Sequence, residues 1–234
     1  MSFPLDGVSL DEPILDGPRL RPRNGGAPDS LVVLLHGYGA DGRDLIDLGN
    51  AWADLLPGTA FISPHAPDPC GEAPVGRQWF PLSFRDPHEL ARGAEAAAPV
   101  LAAFLEVELA KYDLPPSRLA LVGFSQGAMM ALKIATTAAV APAAVVSYSG
   151  LWVEAAGGVP RDLQLHTRPP ILLVHGTEDE VIPAQALFAS ARGLAEAGVP
   201  VEWHLSQGLG HGIDDGGLAH GGAFLAEFLA PKSR

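Results

Sequence analysis

The sequence predicts a three-layer α/β sandwich with a mostly parallel central sheet, and two observations carry that prediction. Short apolar runs rich in β-branched residues recur along the 234 residues, each ended by glycine, proline or a polar turn. Most are continuous, the pattern of strands covered on both faces. Longer segments with helical spacing separate them, and such alternation builds crossover units with helices on both sides of one sheet.

In chain order, residues 14–23 suggest an antiparallel strand or hairpin at the sheet edge. Strands follow at 31–35 (Leu-Val-Val-Leu-Leu), 60–63, 119–124 (Leu-Ala-Leu-Val-Gly-Phe), 143–148, 171–175 (Ile-Leu-Leu-Val-His) and 201–205. Helical spacing marks 44–55, 88–112, 126–139, 184–197 and 218–229. Pro99 falls inside the longest of these, where a missing donor and a ring clash predict a kink or a break. Two stretches, 64–87 and 150–170, take neither pattern. Loops of that length inside a compact domain usually cover a site, and their Trp, Phe and Leu residues favour that role here. No repeat or linker divides the chain, so a single domain over 1–234 is expected.

Composition narrows the function classes. With 47% hydrophobic residues the chain can bury a full core without disulfides or metal. Fifteen basic against 27 acidic residues give a net charge of −12, which disfavours nucleic acid and anionic lipid. Cys70 is alone, so a reducing compartment fits. The N-terminus does not read as a signal peptide, and no apolar run approaches the roughly 18 residues that span a bilayer. A cytoplasmic location without stable membrane association is expected.

The chemistry concentrates around Leu-Val-Gly-Phe-Ser125-Gln-Gly-Ala, where an apolar strand runs through a glycine-flanked turn into a helix. This is the context of a nucleophile elbow, which lifts a serine Oγ off the strand end and needs small neighbours such as Gly123 and Gly127. With 27 glycines the bare pentapeptide is weak, and a helix N-cap at Ser125 is the plain competing reading. The flanking strand and helix favour the elbow.

A serine needs a histidine to take its proton, and that histidine needs a carboxylate to hold its tautomer. In an α/β-hydrolase fold the chain order is Ser, acid, His. After the strand at 171–175 come Glu178, Asp179 and Glu180, among which spacing does not choose. His211 lies in a glycine-rich loop after the last strand and is the natural base, whereas His204 sits within that strand and His220 within the terminal helix. His36 and His175 each end a strand and suit backbone bonding better than proton transfer. No His-Glu-x-x-His or carboxylate cluster supports a metal site. Acyl transfer also needs backbone N–H groups for the oxyanion, and Gln126, after the nucleophile, and Tyr38, in the Gly37-Tyr38-Gly39 turn, are the candidates.

With these pieces in place the sequence resembles the phospholipase/carboxylesterase family of α/β-hydrolases, which includes acyl-protein thioesterases and small bacterial carboxylesterases. The resemblance rests on Leu-His-Gly-Tyr-Gly-Ala-Asp-Gly at 35–42, Arg-Gln-Trp-Phe at 77–80, Gly-Phe-Ser-Gln-Gly at 123–127, His-Gly-Thr-Glu-Asp at 175–179, Val-Ile-Pro at 181–183 and Gly-His-Gly at 210–212. It implies a triad of Ser125, Asp179 and His211, an oxyanion hole of the Tyr38 and Gln126 amides, no cofactor, a small-molecule ester substrate, and in several members a homodimer. Three readings follow. The first is a carboxylesterase for short- to medium-chain esters. The second keeps the triad but acts on lysophospholipids or acyl thioesters, with Trp79, Phe80, Leu82, Leu151, Trp152 and Ile182 lining an acyl channel. The third is a non-catalytic binding module, because fold alone does not prove activity.

Overall fold

The computed structural model describes residues 15–230 except 72, 74, 84, 85, 87 and 156–164. The expected single domain over 1–234, the reading of the N-terminus, the start of the 14–23 segment and parts of both long loops therefore extend outside the described residues. Among the described residues seven strands form one sheet: β1 (Arg19–Leu20), β2 (Ser30–Leu35), β3 (Thr59–Ile62), β6 (Leu119–Phe124), β7 (Ala144–Tyr148), β8 (Ile171–Gly176) and β9 (Val201–Ser206). Their spatial order is β1-β3-β2-β6-β7-β8-β9, parallel throughout except for β1, which runs antiparallel to β3 at the edge. A small hairpin pairs β4 (Asp68–Pro69) with β5 (Arg77–Gln78) inside the first long loop.

The central strands are buried along their length because alternate residues feed two cores. Leu31, Val33, Leu35, Leu119, Leu121, Val145, Ile171 and Leu173 face α2 (Glu89–Tyr112), α3 (Gln126–Thr137) and α4 (Gln185–Glu196). Val32, Leu34, Ala120, Val122, Val146, Leu172 and Val174 face α1 (Ile46–Trp52) and α5 (Asp215–Leu229). The order 2-6-7 at the sheet centre puts the ends of β2 and β6 side by side, with Leu35 opposite Gly123.

Helix α2 runs from Glu89 to Tyr112 without the break expected at Pro99. Pro99 and Glu95, the residue whose carbonyl loses its helical donor, both lie on the exposed side, where water can take that hydrogen bond. The rest of α2 is held by its inner face, including Leu101, Phe104 and Leu105.

Candidate active site

The turn from β6 into α3 places Ser125 at φ 53°, ψ −116°, a left-handed backbone that side chains rarely adopt. Its N–H donates to the Tyr148 carbonyl at 2.9 Å, so the turn is tied to the neighbouring strand. The helix N-cap alternative has no support, since the Ser125 side chain makes no capping hydrogen bond. Both flanking glycines are sterically fixed. A Cβ on Gly123 would lie 2.3 Å from the Gly127 carbonyl oxygen, and one on Gly127 would lie 1.9 Å from that of Leu35.

Past the end of β8, Asp179 is buried with three hydrogen-bond donors around it. Its Oδ1 accepts the backbone N–H groups of Val181 (2.9 Å) and Ile182 (2.8 Å), and its Oδ2 accepts from His211 Nδ1 at 2.7 Å. Neither Glu178 nor Glu180 makes this contact with a histidine. Burial works against the charged carboxyl, yet the His211 and amide hydrogen bonds outweigh it and hold Asp179 below the usual carboxylate range. His175 Nε2 donates to the Ile182 carbonyl at 2.7 Å and lies 3.2 Å from Asp179 Oδ2, so it braces the same carboxylate from the buried side. The His211 loop is held by Ser149 Oγ on the Gly212 carbonyl at 3.3 Å, while the ring packs on Phe124.

The Tyr38 turn is framed from both sides. Gly39 N–H donates to the Arg77 carbonyl (2.9 Å), and Arg77 N–H donates to the Ala40 carbonyl (2.8 Å). The Arg77 guanidinium in turn holds the carbonyls of Ala66 and Pro67. His36 accepts the Ala66 N–H at Nε2 (3.0 Å), so its proton is on Nδ1, which donates to the Gly37 carbonyl (2.8 Å). Burial pushes its pKa below the ordinary histidine value. This is the backbone-bonding role expected of it.

One cavity of about 440 Å³ opens here, lined by Tyr38, Ser125, Gln126 and His211 together with Leu82, Leu90, Met129, Leu151, Ile182 and Ala186, among others. Of the six residues expected along an acyl channel, Leu82, Leu151 and Ile182 are on its wall. Trp79, Phe80 and Trp152 require correction: they are not on that wall but buried in the larger core. Each has a structural task. Trp152 bonds Ser190 Oγ through its backbone N–H (2.9 Å), and Phe80 fills the space over Gly93. Trp79 Nε1 donates to the His36 carbonyl (2.9 Å) while its backbone N–H donates to Gln126 Oε1 (2.9 Å).

That last pair exposes what the sequence reading missed. The Gln126 side chain also donates to the Phe80 carbonyl (2.8 Å), so the Arg-Gln-Trp-Phe segment ties the Tyr38 turn to the start of α3. The adjacency of two motifs, 77–80 and 126, is long-range and has no periodic signal. Met129 on the cavity wall was missed as well, although it has a signal: it lies one helical turn beyond Ser125 and so shares its face.

A strained serine at a strand-to-helix turn, with a carboxylate-bonded histidine on the same cavity, defines a hydrolase of the α/β class. The phospholipase/carboxylesterase family profile matches residues 23–229. The chain belongs to that family and is a carboxylic ester hydrolase. Among solved structures it is similar to esterase PE8, at 44% identity and a TM-score of 0.86 over 92% of this chain and 99% of that one. It is 29% identical to esterase YpfH of Escherichia coli strain K12, over 79% of this chain and 77% of YpfH. Acyl-protein thioesterase 1 of Gibberella zeae is 26% identical, over 87% of this chain and 92% of the thioesterase. Among the described residues, no helix is long and apolar enough to cross a membrane, and no group of three or more His, Cys, Asp or Glu side chains could hold a metal.

Proposed function

We propose that the chain is a single-domain, cytoplasmic serine carboxylesterase that cleaves short- to medium-chain esters through an acyl-enzyme on Ser125. The observation that carries this reading is the 2.7 Å His211–Asp179 hydrogen bond on the cavity that Ser125 also lines. Because Asp179 occupies Nδ1 as an acceptor, His211 holds its proton there and presents Nε2 as the base. His211 takes the Ser125 proton as Oγ attacks the ester carbonyl, and the resulting oxyanion is received by the Tyr38 and Gln126 amides. Collapse expels the alcohol, which takes the proton back from His211. Water then repeats the sequence and releases the acid. An oxyanion-hole donor of this kind is worth about 3 kcal/mol of transition-state stabilisation.

Size favours the shorter substrates, since about 440 Å³ is near the small end of ligand cavities, which run from about 300 to 1,000 Å³. The lysophospholipid or acyl-thioester reading draws on the apolar wall of Leu82, Leu90, Met129 and Leu151 and on the thioesterase relative. Steady-state hydrolysis of a p-nitrophenyl series from acetate to palmitate separates the two. The proposal expects kcat/KM to peak at or below medium-length acyl groups and to fall at least 10³-fold in Ser125→Ala, on the scale of about 10⁶ for loss of a triad serine. A maximum at palmitate supports the lipid reading instead, and equal rates for wild type and Ser125→Ala overturn both.

A further inference from the structure

Among the described residues, the far edge of the sheet, away from β1, carries no further strand: β9 pairs only with β8, and its side chains are among the most exposed of any strand in the sheet. In the parallel β8–β9 ladder, Ile171 N–H donates to the Pro200 carbonyl and Thr177 N–H to the Ser206 carbonyl. The backbone groups of Glu202 and His204 therefore turn toward β8, and those of Val201, Trp203 and Leu205 turn off the sheet. An open edge with free donors and acceptors is a template for another strand, which proteins normally blunt. Here it carries Trp203, 53% exposed, against Phe188 of α4, 46% exposed, with ring centroids 5.5 Å apart. On the opposite face lie Glu202 and His204, the latter stacked on His220 of α5.

The order of side chains along this strand fits the strand itself. Two antiparallel copies of β9 hydrogen-bond only in registers that oppose outward-facing residues, so residue numbers at opposed positions must sum to an even value. In the register that places Trp203 opposite its own copy, Val201 faces Leu205 and Glu202 faces His204, each twice by symmetry. The register two lower sets Glu202 against Glu202, and the register two higher sets His204 against His204. We propose that β9 is the interface of a two-fold homodimer in which the sheets of two copies join, centred on Trp203 and fixed in register by reciprocal Glu202–His204 pairs. Trp203 and Phe188 of both copies close over one face of the joined strands.

Sedimentation equilibrium of the full chain tests this, with circular dichroism confirming that each variant is folded. The expected wild-type mass is twice the 24.4 kDa of one chain. Trp203→Arg and Glu202→Lys each return it to the single-chain mass, and Glu202→Lys combined with His204→Glu, which pairs a carboxylate with an ammonium across the two-fold, recovers the dimer. A single-chain mass for wild type, or a dimer indifferent to these substitutions, overturns the interface. Loss in Glu202→Lys without recovery in the double variant overturns the register.

Discussion

Ser125 is held at φ 53°, ψ −116°, a conformation that costs a side-chain-bearing residue about 1–3 kcal/mol. That strain is carried because the turn must hold the Oγ clear of the strand end, above the close approach of Gly127 to Leu35. Ser125→Gly relieves it, and should raise the unfolding free energy by about 1 kcal/mol while abolishing hydrolysis. Urea denaturation of the two proteins reads the difference; a destabilised glycine variant contradicts stored strain. His36 contributes through its protonation state. With its folded pKa lowered by burial, the neutral form is favoured by folding, so its contribution is complete above the unfolded value of about 6.5 and is lost as pH falls below it. His36→Gln is therefore expected to flatten the decline of stability as pH falls below about 6.5. Thermal melting across that window measures it, and an unchanged slope contradicts the assignment.

At the scale of elements, one device braces the site and another fastens the edge of the sheet. The 77–80 segment is a brace: through Gln126 and Trp79 it fixes the distance between the two amides proposed for the oxyanion. Gln126→Leu keeps the backbone amide but frees the brace, and a displacement of about 1 Å can cost up to 10²-fold in rate. We expect kcat to fall by about tenfold or more with little change in KM. The second device is the anchor of β1 to α2, where Arg19 donates to buried Glu108 at 2.5 and 2.8 Å. Arg19→Met leaves the carboxylate without its main partner and should destabilise by about 3 kcal/mol, whereas adding Glu108→Leu should recover most of the loss. Chemical denaturation of the single and double variants decides it.

For the whole molecule, the alternation of runs between 31 and 229 announces the sheet and its helices because strands buried on both faces read as short continuous apolar runs while their crossovers carry the helical period. Every strand expected from 31 onward is present, and β1 occupies the edge suggested for 14–23. Ser125 and His211 stand beside glycines just past strand ends, which local sequence makes visible, whereas Asp179 is set apart from Glu178 and Glu180 only by the family resemblance. The three buried aromatics were not legible. Composition alone does not distinguish a Trp on a cavity wall from one such as Trp79, whose indole N–H is spent on the His36 carbonyl. The break that was one of the two outcomes expected at Pro99 is absent for a related reason: the helix is held by tertiary packing of its inner face, not by local propensity.

The central claim is that Ser125 is the nucleophile, and covalent labelling tests it without choosing a substrate. A fluorophosphonate reacts with an activated serine and not with an ordinary hydroxyl. Intact-mass and peptide-mass spectrometry should find one adduct per chain, on the peptide that contains Ser125, and none in Ser125→Ala or in His211→Ala treated for the same time. An unlabelled wild type, or an adduct on another residue, would contradict the account.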